Sequence, residues 1–280
     1  MADSPTLSSE GNKVAPTVEI LDVTPELAEQ WLSKNSKNRN LRAQVIASYA
    51  RDMQTGSWVL NGETVKISSA GQLLDGQHRL SAVVEAAVTV PMIVVSGVEA
   101  SAMPTVDTGA KRTYADTLRL QGEENTSVLA AVTRRALLWE RGYRVRPGSM
   151  APTGLELNAF LSESRRLRTS AEVAVKIATR TLLPASIIGL AHWLFSDLDP
   201  DEASWFLARL ADGDGLAADD PIAALRNRIV KMRVGGGRVN ETEALALLVM
   251  AWNARRAGET RSKLQLPRGG LTSENFPEPR

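Results

Sequence analysis

The sequence predicts an α+β fold, with a small mixed-sheet domain followed by an all-α domain. Three observations carry this reading. Up to about residue 122 short β-type runs alternate with helical patterns, and beyond it the apolar period is helical almost throughout. No run approaches the roughly 20 apolar residues of a membrane span. The 280 residues, 43% hydrophobic and 23% charged, suffice for two ordinary globular domains.

The elements follow in order. Residues 1–17 are Ser-, Gly- and Asp-rich with little to bury, and read as a disordered tail. Residues 18–23 form a short strand. Thr24 and Pro25 then open a helix, the first as N-cap and the second at the first helical position. It carries Leu27, Trp31 and Leu32 and dissolves into polar residues 33–40. Leu41, Val45, Tyr49 and Met53 recur every fourth residue as a second helix, which Gly56 stops. Asn61-Gly62 is a turn, residues 64–67 a strand, 68–71 a turn and 72–74 the returning strand. A helix with Leu80, Val83, Val84 and Ala87 comes next, then a buried strand over 90–95. After the turn Asp107-Thr108-Gly109, Lys111-Arg112-Thr113 leads into a helix through Leu118 and Leu120.

The second half reads as helices over 126–140, from the capping box Thr153/Glu156 onward, over 171–181 with Ser170 as cap, and over the apolar run 184–195. Asp199-Pro200 and Asp220-Pro221 each open another, and Asn240 with Glu243 caps the last. Gly235-Gly236-Gly237 is a flexible break, and 259–280 reads as a loose C-terminal tail. The domains expected are therefore 18–122 and 126–258.

Composition bounds the chemistry. With 33 Lys and Arg against 32 Asp and Glu, net charge neither favours nor excludes nucleic acid as a partner. The absence of cysteine excludes disulfides, cysteine nucleophiles and thiolate zinc sites, and fits a reducing cytoplasm. Two histidines disfavour a multi-histidine metal centre, whereas a carboxylate–phosphate Mg²⁺ site stays open.

One pentapeptide stands out: Asp75-Gly76-Gln77-His78-Arg79, between a strand and a helix. A helix start exposes unpaired N–H groups and suits phosphate. Gly76 serves a turn and lets backbone approach a ligand, and Arg79 either presents a planar fork to phosphate oxygens or forms a salt bridge to a core-rim carboxylate. His78 suits phosphate contact or proton transfer, against an ordinary buried structural role. Asp75 reads either as the helix N-cap or as a catalytic or Mg²⁺-holding carboxylate. Glu63, at the hairpin entry, is a general-base or metal candidate beside the simpler reading of a surface glutamate.

The motif, standing as Leu73-Leu74-Asp75-Gly76-Gln77-His78-Arg79-Leu80-Ser81-Ala82, resembles that of phage and mobile-element proteins of the ParB/sulfiredoxin superfamily. Asn38-Arg39, Gly56-Ser57-Trp58, Val106-Asp107-Thr108-Gly109 and Arg112-Thr113 extend the resemblance over about 105 residues. It implies a ParB/sulfiredoxin-like N-terminal domain that binds the phosphates of ATP or CTP, with Mg²⁺ a further cofactor. Gly76, Gln77, His78 and Arg79 would hold the phosphates; the turn with Asp107, Thr108 and Arg112 either closes on the same phosphates, contacts a nucleic-acid backbone or is a solvated turn, and Arg39 either reaches a base or phosphate or is an ordinary surface arginine. The partners implied are a nucleotide, DNA and a second copy as a homodimer, with no membrane.

Superfamily members diverge in chemistry, so the fold supports nucleotide binding better than any one reaction. The lack of cysteine argues against sulfiredoxin thiol chemistry. His78-Arg79 stands where partition proteins usually carry paired arginines. Three readings stay open: a DNA-associated nucleotide binder with slow NTPase activity, a Mg²⁺-dependent phosphotransferase or nuclease using Asp75, His78 or Glu63, and a non-catalytic regulatory or structural protein.

The second half is rich in arginine, from Arg134 and Arg135 through Arg165, Arg166 and Arg168 to Arg226, Arg228, Lys231 and Arg233. These form either a phosphate-tracking face or ordinary solvated helix surfaces. His192 and Trp139, Trp193, Trp205 and Trp252 fall on apolar helical positions and read as core.

Overall fold

The computed structural model describes residues 15–34, 40–105, 112–145, 151–234 and 239–280. The chain forms two compact units, Met1–Ala110 with Ser149–Ala151, and Lys111–Gly148 with Pro152–Arg280. The boundary lies upstream of the break expected near Gly122.

Among the described residues the first unit is a four-stranded mixed sheet with three α-helices. Strand β1 (Thr17–Val23) leads to α1 (Pro25–Ser33), where Thr24 accepts from the Leu27 N–H as the sequence predicts. Helix α2 (Ala43–Gln54) precedes the hairpin β2 (Thr64–Ser68) and β3 (Leu73–Asp75). Helix α3 (Gln77–Ala86) and strand β4 (Val90–Val98) complete the unit. The sheet order is β1-β4-β2-β3, with β4 and β2 parallel and the outer pairs antiparallel. Val65, Ile67, Met92 and Val94 from the sheet pack with Ile46, Ala50 and Met53 of α2 and Leu80 and Val83 of α3. Leu41 departs from its expected place: it precedes α2 and is 52% exposed, so Ile46, Ala50 and Met53 form the buried stripe instead.

The second unit is helical: α4 (Tyr114–Leu120), α5 (Thr126–Glu140), α6 (Gly154–Glu163), α7 (Arg166–Thr181), α8 (Ala185–Leu198), α9 (Pro200–Asp212), α10 (Pro221–Val234) and α11 (Glu241–Arg256). Local punctuation sets several starts. Thr153/Glu156 forms the expected capping box, the Asp199 side chain accepts from the Glu202 N–H, and Asn240 accepts from Thr242 and Glu243. Thr113 and Asp116 form a further capping box on α4.

Helix α8 carries a nearly continuous buried surface. Phe195 on it stacks on Trp252 of α11 at 4.3 Å, and Phe206 of α9 meets both rings edge-on. Ser170 is not a cap: α7 starts four residues earlier, and the fully buried Ser170 hydroxyl lies 2.8 Å from His192 Nδ1. Trp205 is not core either, since it is 41% exposed beneath the Arg255 guanidinium. Residues 259–280 hold no helix or strand, yet Leu264 and Phe276 are buried in the helical core, so this stretch is packed rather than loose.

Among the described residues no helix is long and apolar enough to cross a membrane.

Candidate functional site

The pentapeptide lies where β3 passes into α3. Gly76 is the N-cap of α3, with φ 104. That left-handed backbone strains any other residue. A Cβ at this position would lie 3.0 Å from Val65 Cγ2 and 3.2 Å from Val65 Cα. Glycine is therefore required here by the close approach of β2, independently of any ligand.

Asp75 is not the helix cap, because Gly76 stands between it and the first helical residue. It ends β3 directly across from Lys66 of β2. One carboxylate oxygen accepts from the Gly76 N–H at 2.8 Å. The other accepts from Lys66 Nζ at 3.1 Å and from Arg79 at 3.5 Å. Burial pushes the Asp75 carboxyl up. The Lys66 hydrogen bond, the Arg79 and Lys66 charges and the Gly76 N–H outweigh it and hold its pKa below the ordinary value. Asp75 is thus an ionised carboxylate at neutral pH.

Arg79 lies in the first turn of α3, and its side chain is only 12% exposed. Its second nitrogen donates to Glu63 at 3.2 Å, so the guanidinium bridges two carboxylates. Lys66, Asp75, Arg79 and Glu63 make a charge-balanced row of two cations and two anions. Sequence reading missed Lys66, although an opposite-charge pair facing across a hairpin was the available signal.

His78 is buried, and its Nε2 accepts the backbone N–H of Arg42 at 3.0 Å. Accepting at Nε2 places the neutral ring's proton on Nδ1. This bond occupies the Nε2 lone pair, which a general base would use to take a proton. Arg42 is the N-cap of α2 and makes no side-chain cap of its own, and the imidazole of α3 accepts its backbone N–H from 36 residues away. The N-termini of α2 and α3 consequently meet at one histidine, and two positive helix ends share a small volume. Gln77, in the same first turn, is buried.

Arg112 is exposed and belongs to the helical unit. Arg39, Asp107 and Thr108 lie outside the described residues. Trp58 has a structural task, since its indole donates to the Pro91 carbonyl at 3.1 Å and packs edge-on to Tyr49.

Among the described residues no group of three or more His, Asp or Glu side chains could hold a metal ion. Asp75 and Glu63, which share Arg79, are two oxygen donors of the kind Mg²⁺ takes together with phosphates and water.

In the helical unit most candidate phosphate-binding arginines are engaged. Arg135, Arg141, Arg144, Arg166 and Arg168 form ion pairs with Glu241, Glu156, Glu278, Asp197 and Glu123. Arg226 and Arg233 donate to the carbonyls of Leu210 and Leu182. Arg134, Arg165, Arg228 and Lys231 are exposed and have no ion pair among the described residues. His192 is structural: it is buried against Ser170 and Ser196, and burial, aided by the Arg166 charge, lowers its pKa.

No protein-family model, no curated protein and no solved structure matches this chain. The resemblance to the ParB/sulfiredoxin superfamily therefore rests on the motif residues themselves.

Proposed function

We propose that the chain is a ParB-like protein of the phage and mobile-element type, whose first unit binds the phosphates of a nucleotide, ATP or CTP, at the entrance of α3. The observation that supports this best is the meeting of the α2 and α3 N-termini at His78, beside Lys66 and Arg79. Oriented N–H groups, two helix dipoles and two cations in one place suit a polyphosphate.

In this reading the carboxylates of Asp75 and Glu63 occupy the cations until phosphate oxygens replace them. Lys66 and Arg79 bind phosphate, Gly76 keeps the turn tight, and His78 positions the start of α2 rather than moving a proton. Mg²⁺, when bound, would offset phosphate charge, and Asp75 and Glu63 are the residues that would hold it. DNA is the further partner that the motif's resemblance implies. Arg134, Arg165, Arg228 and Lys231 are the side chains open to its backbone, and such binding weakens as salt rises.

A second reading has an observation of its own. His78 and Arg79 both have internal partners, which suits a motif that only fixes α3 to α2 and β2. A thermal-shift panel of ATP, CTP, GTP and deoxynucleoside triphosphates with Mg²⁺ separates the two. Phosphate binding predicts that at least one triphosphate raises the melting midpoint of the wild type and not of Arg79→Ala. The structural reading predicts no shift with any of them.

A further inference from the structure

Residues 270–280 are built as a ligand that happens to be covalently attached. Their first half is held by its own hydrogen bonds. Thr272 N–H donates to Asn275 Oδ1 at 2.8 Å, Asn275 N–H to Thr272 Oγ1 at 3.3 Å, and Phe276 N–H to the Thr272 carbonyl at 3.1 Å. Asn275 also donates to the Gly270 carbonyl. None of these bonds involves the helices beneath, so the turn that displays Phe276 is closed by the segment's own groups.

The second half, Pro277-Glu278-Pro279-Arg280, is proline-stiffened and is bound as an extended peptide would be. The Asn253 side chain clamps its backbone on both sides, donating to the Glu278 carbonyl at 2.8 Å and accepting from the Arg280 N–H at 2.9 Å. Trp252 Nε1 donates to the Arg280 backbone oxygen at 3.2 Å. Two side-chain contacts supply selectivity. Phe276 is buried edge-on to Trp139 at 5.8 Å. Glu278 receives two bonds from Arg144, at 2.6 and 3.3 Å, while that guanidinium lies 3.8 Å over the Trp139 ring.

The hinge is equally clear. Gly269 and Gly270 both have left-handed backbone, φ 90 and 91, and a Cβ at either would meet nothing within 4 Å. Two adjacent unhindered glycines form a pivot of low rotational cost.

The geometry points to exchange of this segment between copies: residues 271–280 of one chain swing about Gly269-Gly270 and fill the Trp139, Arg144 and Asn253 groove of a second copy. The occupant is a second copy because the pattern recognised, an aromatic anchor followed two residues later by an acid on a clamped backbone, is this chain's own. The identical segment repeats every contact in trans, which makes exchange a low-cost route to a dimer. In the wild type the attached segment competes at high effective concentration, so the exchanged form is favoured as protein concentration rises.

Charge reversal tests this on the full chain. Glu278→Arg and Arg144→Glu each break the contact within a chain, whereas mixing the two variants offers only matched contacts between chains. Each alone is expected to sediment as a monomer with residues 271–280 open to hydrogen exchange. The 1:1 mixture is expected to sediment as a heterodimer with the segment protected. The chain carrying both substitutions is expected to return to a protected monomer. A mixture that remains monomeric overturns the proposal.

Arg144 also donates to the Trp139 carbonyl, so Arg144→Glu can fail to fold. In that event a labelled synthetic peptide of residues 270–280 is titrated into the Glu278→Arg chain. Saturable binding, at least tenfold weaker when the peptide carries Phe276→Ala, is the expected result. No binding overturns the proposal.

Discussion

Replacing Gly76 by alanine tests how the entrance of α3 is built. The backbone there has φ 104, and the new methyl would lie 3.0 Å from Val65 Cγ2 and 3.2 Å from Val65 Cα. Holding a non-glycine residue in left-handed backbone costs about 1–2 kcal/mol. Forcing a methyl against β2 adds about 1–3 kcal/mol, because a backbone atom cannot rotate away as a flexible side chain can. The smaller conformational entropy of the unfolded alanine chain returns about 0.4–1 kcal/mol. The net loss is about 1–4.5 kcal/mol, centred on about 3, a large part of the roughly 5–15 kcal/mol that holds a typical domain folded. With a urea dependence of about 1–3 kcal/mol per molar, a loss of about 3 kcal/mol lowers the midpoint by about 1–3 M. Urea unfolding followed by far-UV circular dichroism measures this, and hydrogen exchange of β2 and α3 peptides assigns it to the first unit. A variant within about 0.5 kcal/mol of the wild type would refute the close approach of Val65 and the strained turn together.

Further outcomes follow from other contacts. Ser170→Ala removes the partner of a buried imidazole and should cost about 1–3 kcal/mol in denaturant unfolding, with far-UV signal retained in the folded baseline. Burial and the Arg166 charge hold the folded pKa of His192 below its ordinary 6.5, so the unfolded chain binds this proton first as pH falls. The stability His192 contributes is therefore complete above about pH 6.5, declines below it and levels off once pH passes the folded value. Urea midpoints across that range measure it, and a helical unit more stable at acid pH would contradict it. Asp75 has a lowered folded pKa, so its contribution is present above 3.8 and lost as pH falls through the folded value. Asp75→Asn should remove that part of the acid sensitivity and lower the midpoint at neutral pH. Asp199→Ala removes the cap at the α9 start and should cost about 0.5–2 kcal/mol.

Helix starts were legible wherever punctuation is local. Thr24-Pro25, Thr153 with Glu156, Asp199-Pro200 and Asn240 each bond backbone within three residues, so sequence spacing alone locates them. Readings failed where a distant partner decides. Ser170 resembled a cap because it precedes an apolar stripe, but its hydroxyl faces His192 on another helix. Residues 259–280 lack periodicity and so resembled a tail, yet Phe276 packs on Trp139 and Asn253 clamps the backbone across a long loop.

The same division runs through the candidate site. The motif and its helix start were visible in the sequence, but the Arg42–His78 bond spans 36 residues. The Lys66–Asp75 pair depends on hairpin register. Asp75 failed as a cap because one left-handed residue must separate β3 from α3, and Gly76 is that residue.

Phosphate binding at the α3 entrance, as proposed, requires the cations there to exchange their carboxylates for phosphates. Calorimetric titration of CTP and of ATP, each with Mg²⁺, into the wild type and into Arg79→Ala measures this directly. This exchange predicts saturable binding of at least one nucleotide at one site per chain. It also predicts a loss of about 1.5–3 kcal/mol, roughly 10- to 150-fold in affinity, when the Arg79 guanidinium is removed. Absence of binding, or equal affinity in the two proteins, would contradict it.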